Sequence, residues 1–130
     1  MVIGKKQVDA QIFEMVIELK SEILINAGIR AAERNFTNAY VTKRGDTEAG
    51  AIFVKIDTLD GYAKLFRRNL KYDLINENNV VEFINLYPEK KIQNVDIDKR
   101  ISKEIEIDSD CWIVEIEDKE GRNPFQNLNC

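Results

Sequence analysis

The strongest constraint on the fold of this chain is the run Ala51–Ile56, which is rich in β-branched and aromatic residues and predicts a β-strand. Side chains alternate between the two sides of a strand, so three branched residues at alternate positions would share one side and Lys55 would lie on the other. Leu-Asp-Gly at residues 59–61 follows as a turn. This turn predicts that the next strand returns antiparallel to the first.

Other segments show the periodicities of strands and helices. Strand composition recurs at Ala39–Lys43, Tyr62–Phe66, Val80–Leu86 and Cys111–Ile116. Helical spacing of apolar residues occurs in Glu22–Arg34, with Ser21 as the predicted N-cap, and in Asp96–Ile107. Asp98, near the start of the second helix, would complement the helix dipole.

This order of elements predicts an α+β fold. We expect an antiparallel or mixed sheet of about five strands, with two main helices packed on one face. Residues 1–18 are predicted to be an N-terminal extension with helical spacing, and residues 19–122 the single α+β domain. Residues 123–130 are predicted to be a flexible tail.

Composition narrows the classes of function. The chain has 130 residues, the usual size of one domain, and a net charge of −4, which argues against nucleic acid as a partner. No apolar run approaches the roughly 20 residues of a membrane span. Two cysteines, one within an apolar run and one at the end, are typical of reduced thiols in the cytoplasm. The lack of histidine excludes Ser-His-Asp and Cys-His catalysis and any His-ligated metal.

Two blocks of sequence resemble a single known family. The first block is Thr-Lys-Arg-Gly-Asp at 42–46, Glu-Ala-Gly-Ala-Ile-Phe-Val-Lys at 48–55 and Leu-Asp-Gly at 59–61. The second is Asp-Ser-Asp-Cys-Trp-Ile-Val-Glu-Ile-Glu-Asp-Lys-Glu-Gly-Arg at 108–122. Together they resemble domain-of-unknown-function family 1491, a group of uncharacterised bacterial proteins, over roughly Leu19 to Arg122. The resemblance implies a fold but no established activity.

Carboxylates concentrate near the end of the predicted domain. On a strand, Glu115 and Glu117 would point to the same side. With Asp118, and joined by Asp46 or Asp60, they would offer oxygen ligands for Mg²⁺, which activates water for phosphoryl chemistry. The simpler interpretation is a solvated strand face whose opposite, apolar side is buried.

Lys55 and the turn that carries Arg44 each have two interpretations. Lys55 either marks a solvent-facing side of its strand or lies in a pocket near Glu115 or Glu117, where it would have a binding role. Arg44 and Asp46 belong to a turn centred on a glycine, and the amides that follow are either an anion-binding nest or a closely packed loop.

The strand after the Leu-Asp-Gly turn at residues 59–61 interleaves basic and aromatic residues. Tyr62, Phe66 and Arg67 resemble a stacking platform of an RNA-binding sheet. The ordinary explanation is an edge strand that charged side chains protect from aggregation.

We therefore expect a non-catalytic binding or interaction module that has a protein partner and uses no cofactor, metal or membrane. The predicted binding residues are Arg44, Asp46, Lys55, Asp60, Glu115, Glu117, Asp118 and Arg122. One alternative is a Mg²⁺-dependent carboxylate enzyme acting on a phosphorylated or nucleotide substrate, in which Lys55 stabilises charge. The other is RNA binding through the basic and aromatic strand.

Overall fold

The computed structural model of the protein describes residues 20–71, 80–126 and 128–129. The N-terminal extension predicted for residues 1–18 lies outside this part of the chain. The described residues form two helices and eight strands. The helices are α1 (Ser21–Arg34) and α2 (Asn94–Ile107). The strands are β1 (Asn38–Lys43), β2 (Ile52–Asp57), β3 (Tyr62–Arg68), β4 (Val80–Val81), β5 (Phe83–Asn85), β6 (Ile92–Gln93), β7 (Trp112–Glu117) and β8 (Leu128–Asn129).

Six of these strands form one mixed sheet, which confirms the predicted α+β class. The strand order is β1-β7-β2-β3-β5, and the short β6 also pairs with β3. The pair β2–β7 is parallel, from Ile52 beside Trp112 to Asp57 beside Glu117, whereas the other pairs are antiparallel. The two sequence blocks that resemble the family therefore meet at the centre of the sheet.

The helices cover opposite faces of the sheet, whereas we expected both on one face. Val54 of β2 belongs to a core cluster with Leu24 of α1, and the adjacent Phe53 belongs to a second cluster with Ile97 of α2. Because neighbouring side chains of a strand point to opposite sides, α1 and α2 must lie on different faces. The physical reason is that the sheet has an apolar cluster on each side, so a helical layer on one side would leave one of the two clusters in water.

The loop before β2 supports the start of α1. The backbone amides of Ser21 and Glu22 donate hydrogen bonds to the carbonyls of Glu48 (3.3 Å) and Thr47 (3.1 Å). The hydroxyl of Ser21 donates to the carbonyl of Gly50 at 2.6 Å, and the N-cap position is Lys20 rather than Ser21. Loop carbonyls thus satisfy amide groups that have no partner within the helix.

The chain after residue 122 is packed rather than loose where the structure describes it. Phe125 is fully buried, and its ring lies edge-on to Phe83 with 5.5 Å between ring centroids. Strand β8 pairs with β4 in a small second sheet. This contrasts with the flexible tail predicted from residue 123 onward. That prediction rested on the polar composition of the tail, but its one aromatic residue completes the core on the α1 side.

We predict that Gly28→Ala destabilises the protein, although alanine ordinarily stabilises a helix by about 1 kcal/mol relative to glycine. A Cβ at this position would overlap the ring of Phe125, so we expect a net loss of about 2 kcal/mol in the free energy of unfolding, measured with urea. Adding Phe125→Leu should reduce the cost of Gly28→Ala. If Gly28→Ala stabilises the protein instead, Phe125 does not pack against α1.

Candidate functional site

Lys55 lies in the interior of the fold, on the face of the sheet that α2 covers. It is only 5% exposed. Its ammonium group is 2.7 Å from Asp98 Oδ1 of α2 and 3.2 Å from Glu115 Oε1 of β7. Of the two interpretations of Lys55, the geometry corresponds to the pocket beside Glu115.

Three polar side chains form a row across neighbouring strands. The register places Tyr40 of β1 beside Glu115, and Glu115 beside Lys55. Tyr40 is 44% exposed and lies beside Glu115 across the β1–β7 pair. Partial burial raises the pKa of Tyr40, and the nearby carboxylates of Glu115 and Glu117 raise it further. The phenol therefore remains a neutral hydrogen-bond donor at physiological pH.

Glu117, two residues further along β7, adds a second carboxylate to this face of the sheet. Glu117 pairs with Asn38 on one side and with Asp57 on the other. Asp57 accepts hydrogen bonds from the backbone amide of Leu59 (2.8 Å) and from the Asn94 side chain (3.3 Å). Within residues 20–71, 80–126 and 128–129, no cation forms an ion pair with Glu117.

We call the surface formed by Asn38, Tyr40, Glu115 and Glu117 the acidic strip. It occupies the half of the α2 face that α2 leaves uncovered, since this helix packs beside β3 and β6. Lys55 and Asp98 border the strip where α2 begins to cover the sheet. The strip consequently combines carboxylates with a half-exposed aromatic ring.

The charge of Lys55 is fixed by its partners. Burial by itself would lower the pKa of Lys55, but the hydrogen bonds to Asp98 and Glu115 outweigh burial and leave the pKa raised. The amine therefore stays protonated at neutral pH. A protonated amine is neither a nucleophile nor a general base, so Lys55 acts as a positioning charge in this site.

Asp118 and Arg122 form a separate clasp after β7. The guanidinium of Arg122 contacts both carboxylate oxygens of Asp118, at 3.0 and 3.1 Å, and its backbone amide donates at 2.7 Å. These bonds lower the pKa of Asp118, whose side chain is buried. Asp118 is thus engaged in holding the chain's turn after β7.

Arg44 and Asp46 lie at the opposite end of β7 from Glu117. The guanidinium of Arg44 lies 5.1 Å from the ring centroid of Trp112 and pairs with Glu22 at 3.2 Å. The carbonyl of Asp46 accepts a hydrogen bond of 2.7 Å from the Trp112 indole. The structure therefore does not bring these two residues together with the acidic strip.

The loop that carries Asp46 is closely packed. The amide of Gly50 donates to the carbonyl of Asp46 at 3.3 Å, and Gly50 itself is buried. A Cβ on Gly50 would collide with the carbonyl of Asp110. Of the two interpretations of this loop, close packing agrees with the geometry.

Asp60 lies in the turn between β2 and β3, at the same end of the sheet as Glu117. A hydrogen bond from the Thr58 hydroxyl is the main cause that lowers the pKa of Asp60, with a further bond from the amide of Tyr62. Lys91 is 3.8 Å away. These contacts assign Asp60 to stabilising the turn.

The remaining candidate groups are metal ligands, the thiol of Cys111 and the ring of Phe66. In the part of the chain that the structure describes, no three carboxylate or thiol side chains are grouped so as to hold a metal ion. The thiol of Cys111 is buried, and burial raises its pKa. Phe66 packs against the core on the α1 side instead of offering a stacking surface.

The binding residues predicted from the sequence do not include Asn38, Tyr40, Asp57 or Asp98. Tyr40 was interpreted only as a strand residue, and Asp98 only as a helix-dipole partner. The sequence predicts that Glu115 and Glu117 share one side of their strand. It does not predict the register that places Tyr40 and Lys55 on either side of Glu115.

Comparison with known proteins identifies relatives of the same fold. A family described as "Protein of unknown function (DUF1491)" matches residues 19–126. A crystal structure of a DUF1491 family protein from Caulobacter crescentus CB15 is 32% identical, with a TM-score of 0.64, and the match covers 81% of this chain and 90% of that one.

Two solution structures are similar as well. One, of protein Atu0922 from A. tumefaciens, is 28% identical over 85% of this chain and 95% of that one, with a TM-score of 0.66. An NMR structure of a DUF1491 family protein from Caulobacter crescentus CB15 is 30% identical over 85% and 94% of the two chains, with a TM-score of 0.64. No curated protein matches the chain significantly. Neither helix of the described residues has the length and apolar character needed to cross a membrane.

We predict that Lys55→Met lowers the free energy of unfolding by about 1–3 kcal/mol, because it leaves the largely buried carboxylate of Glu115 without its cation. Chemical denaturation at pH 7 measures this loss. Combining Lys55→Met with Glu115→Gln should recover part of the stability. A Lys55→Met variant as stable as the unmodified protein would contradict the prediction.

We predict that Asp118→Asn lowers stability by about 1 kcal/mol at pH 7. Because the folded state lowers the pKa of Asp118 below its ordinary value of 3.8, the stabilisation is present above that pH and is lost as the pH falls through the folded-state pKa. Urea unfolding at pH 7 and pH 3 should therefore show a smaller difference between the two proteins at the lower pH. Equal differences at both pH values would disprove this linkage.

Proposed function

Since this chain belongs to the DUF1491 family, whose function is not established, we propose from the geometry that it is a non-catalytic binding module that recognises a basic segment of another protein on the acidic strip. The proposal concerns Tyr40, Glu115 and Glu117, with Lys55 as the positioning charge.

The observation that supports this proposal is the half-exposed Tyr40 beside two carboxylates. A lysine or arginine side chain gains from contact with an aromatic face, and it gains more where carboxylates lie within reach. Counting Asp57, Asp98, Glu115 and Glu117 against Lys55, the local surface has four carboxylates for one ammonium group. This excess of negative charge favours a cationic partner.

The same arrangement favours binding over metal-dependent catalysis. Glu115 pairs with the ammonium of Lys55, and Asp118 pairs with the guanidinium of Arg122. A carboxylate that binds a metal ion must instead be free of such partners. Two of the oxygen ligands predicted from the sequence, Glu115 and Asp118, are thus already paired with cations of the chain itself. We propose that Arg44 and Asp46 contact a partner only at the far end of the same sheet, away from the acidic strip.

We also infer a bacterial origin and a cytoplasmic location. The origin is supported by the two named organisms of the relatives. The location is supported by the unpaired, buried thiol of Cys111, which is typical of proteins in reducing compartments.

We predict that hexalysine, titrated into the isotope-labelled protein, shifts backbone amide signals of residues 38–42 and 115–117, whereas hexaglutamate does not. The double variant Tyr40→Ala, Glu117→Gln should weaken hexalysine binding by about tenfold, because it removes one cation–π contact and one charge. Added salt should weaken binding further.

Glu33→Gln is the matched control, since it removes one exposed acidic charge from α1 on the opposite face of the sheet. This variant should bind hexalysine as the unmodified protein does. The proposal fails if the signals that shift belong to other surfaces, or if the double variant binds with unchanged affinity.

A further inference from the structure

Strand β1 is a terminal strand of the main sheet, next to the acidic strip. It spans six residues, and its inner side pairs with β7. On its outer side, no strand among residues 20–71, 80–126 and 128–129 pairs with it. Alternate backbone amides and carbonyls of such a strand point away from the sheet and can pair with another chain.

Between Asn38 and Val41 this edge has little of the protection that sheet edges usually carry, because Lys43 and the register shift after Val41 protect only its end. Residues 38–42 are Asn-Ala-Tyr-Val-Thr, without a charge or a proline. Natural edges are commonly guarded by charged residues, prolines, bulges or short length. The other terminal strand, β5, follows that rule because it has only three residues. The contrast suggests an edge that is used.

The two sides of β1 differ in chemistry. Asn38 and Tyr40 are exposed on the side of the acidic strip. Ala39 and Val41 point to the other side, where they pack against the core beneath α1. A strand laid against β1 would continue both surfaces, because its own side chains alternate in the same way.

We propose that β1 accepts an extended segment of a partner protein as an additional strand, and that basic residues alternate with apolar residues in this segment. The basic residues would lie beside Tyr40 and the carboxylates, and the apolar residues beside Ala39 and Val41. The choice of basic residues rests on the proposed function; the addition of a strand does not.

The structure also limits how much of β1 is available. The register of β1 against β7 shifts between Val41 and Lys43. The ammonium of Lys43 turns inward and donates to the carbonyls of Ser109 (2.6 Å) and Cys111 (3.0 Å). An irregularity of this kind interrupts regular pairing, so the added strand would pair with Asn38–Val41.

The test uses the full chain and capped peptides with the sequence Lys-Val-Lys-Val-Lys-Val. Two further versions carry N-methyl groups on alternate amides, one in each phase. In an added strand one phase faces β1 and the other faces water. One methylated peptide should therefore bind about tenfold more weakly or not at all, and the other should bind as the parent does.

Amide hydrogen exchange gives a second readout. Alternate amides of residues 38–41 should exchange rapidly in the free protein and slow down when the parent peptide is added. A blocked peptide, Lys-Lys-Lys-Val-Val-Val, has the same composition without the alternation and should not slow them.

The outcomes separate the two proposals. If both methylated peptides bind as the parent does, strand addition is disproved while recognition of basic segments stands. If no peptide binds, both proposals fail. If the outward-facing amides of β1 are already protected in the free chain, the edge is covered by this chain or by a second copy. Strand addition by a partner is then overturned. A concentration-dependent dimer in sedimentation identifies the second copy.

Discussion

The parallel pairing of β2 with β7 is the constraint on which the other contacts depend, because β2 is buried on both faces and β7 is buried on the α1 face and, at Ile113, on the other. Their ladder is continued at either end by backbone bonds from Trp112 to Ala51 (2.7 Å) and from Asp118 to Asp57 (3.0 Å). Such a pair requires a helix on each side and further strands at each edge. The positions of α1, α2, β1 and β3 all follow from that requirement.

Lys55 is the exception within this apolar centre, and it accounts for the polarity of the site. A buried ammonium group is costly unless carboxylates pair with it, and Asp98 and Glu115 supply that pairing from two different elements. Glu115 is thereby held beside Tyr40. The charge therefore connects α2, the centre of the sheet and its exposed edge in one network.

The arrangement of helices leaves one part of the sheet available for binding. The α1 face is filled by aromatic and branched side chains, including Phe125 from the end of the described chain. On the other face α2 packs beside β3 and β6, so among the described residues this helix leaves β1 and the end of β7 uncovered. In the described part of the chain, negative charge and a sheet edge without a paired strand meet at β1, whereas Arg44 and Asp46 serve the packing around Trp112.

The sequence by itself determined the two helices and the four longer strands of the main sheet, and which residues share a side of each of these strands, because those properties depend on local periodicity. It did not predict β6 or β8, nor the division of residues 80–86 into β4 and β5. It also placed Glu115 and Glu117 on one side of β7. Only the tertiary structure decided that the helices lie on opposite faces, that Phe125 is core, and that Tyr40 and Lys55 flank Glu115. Strand order and register join residues that are far apart in the chain, and no local pattern specifies which distant strands will pair.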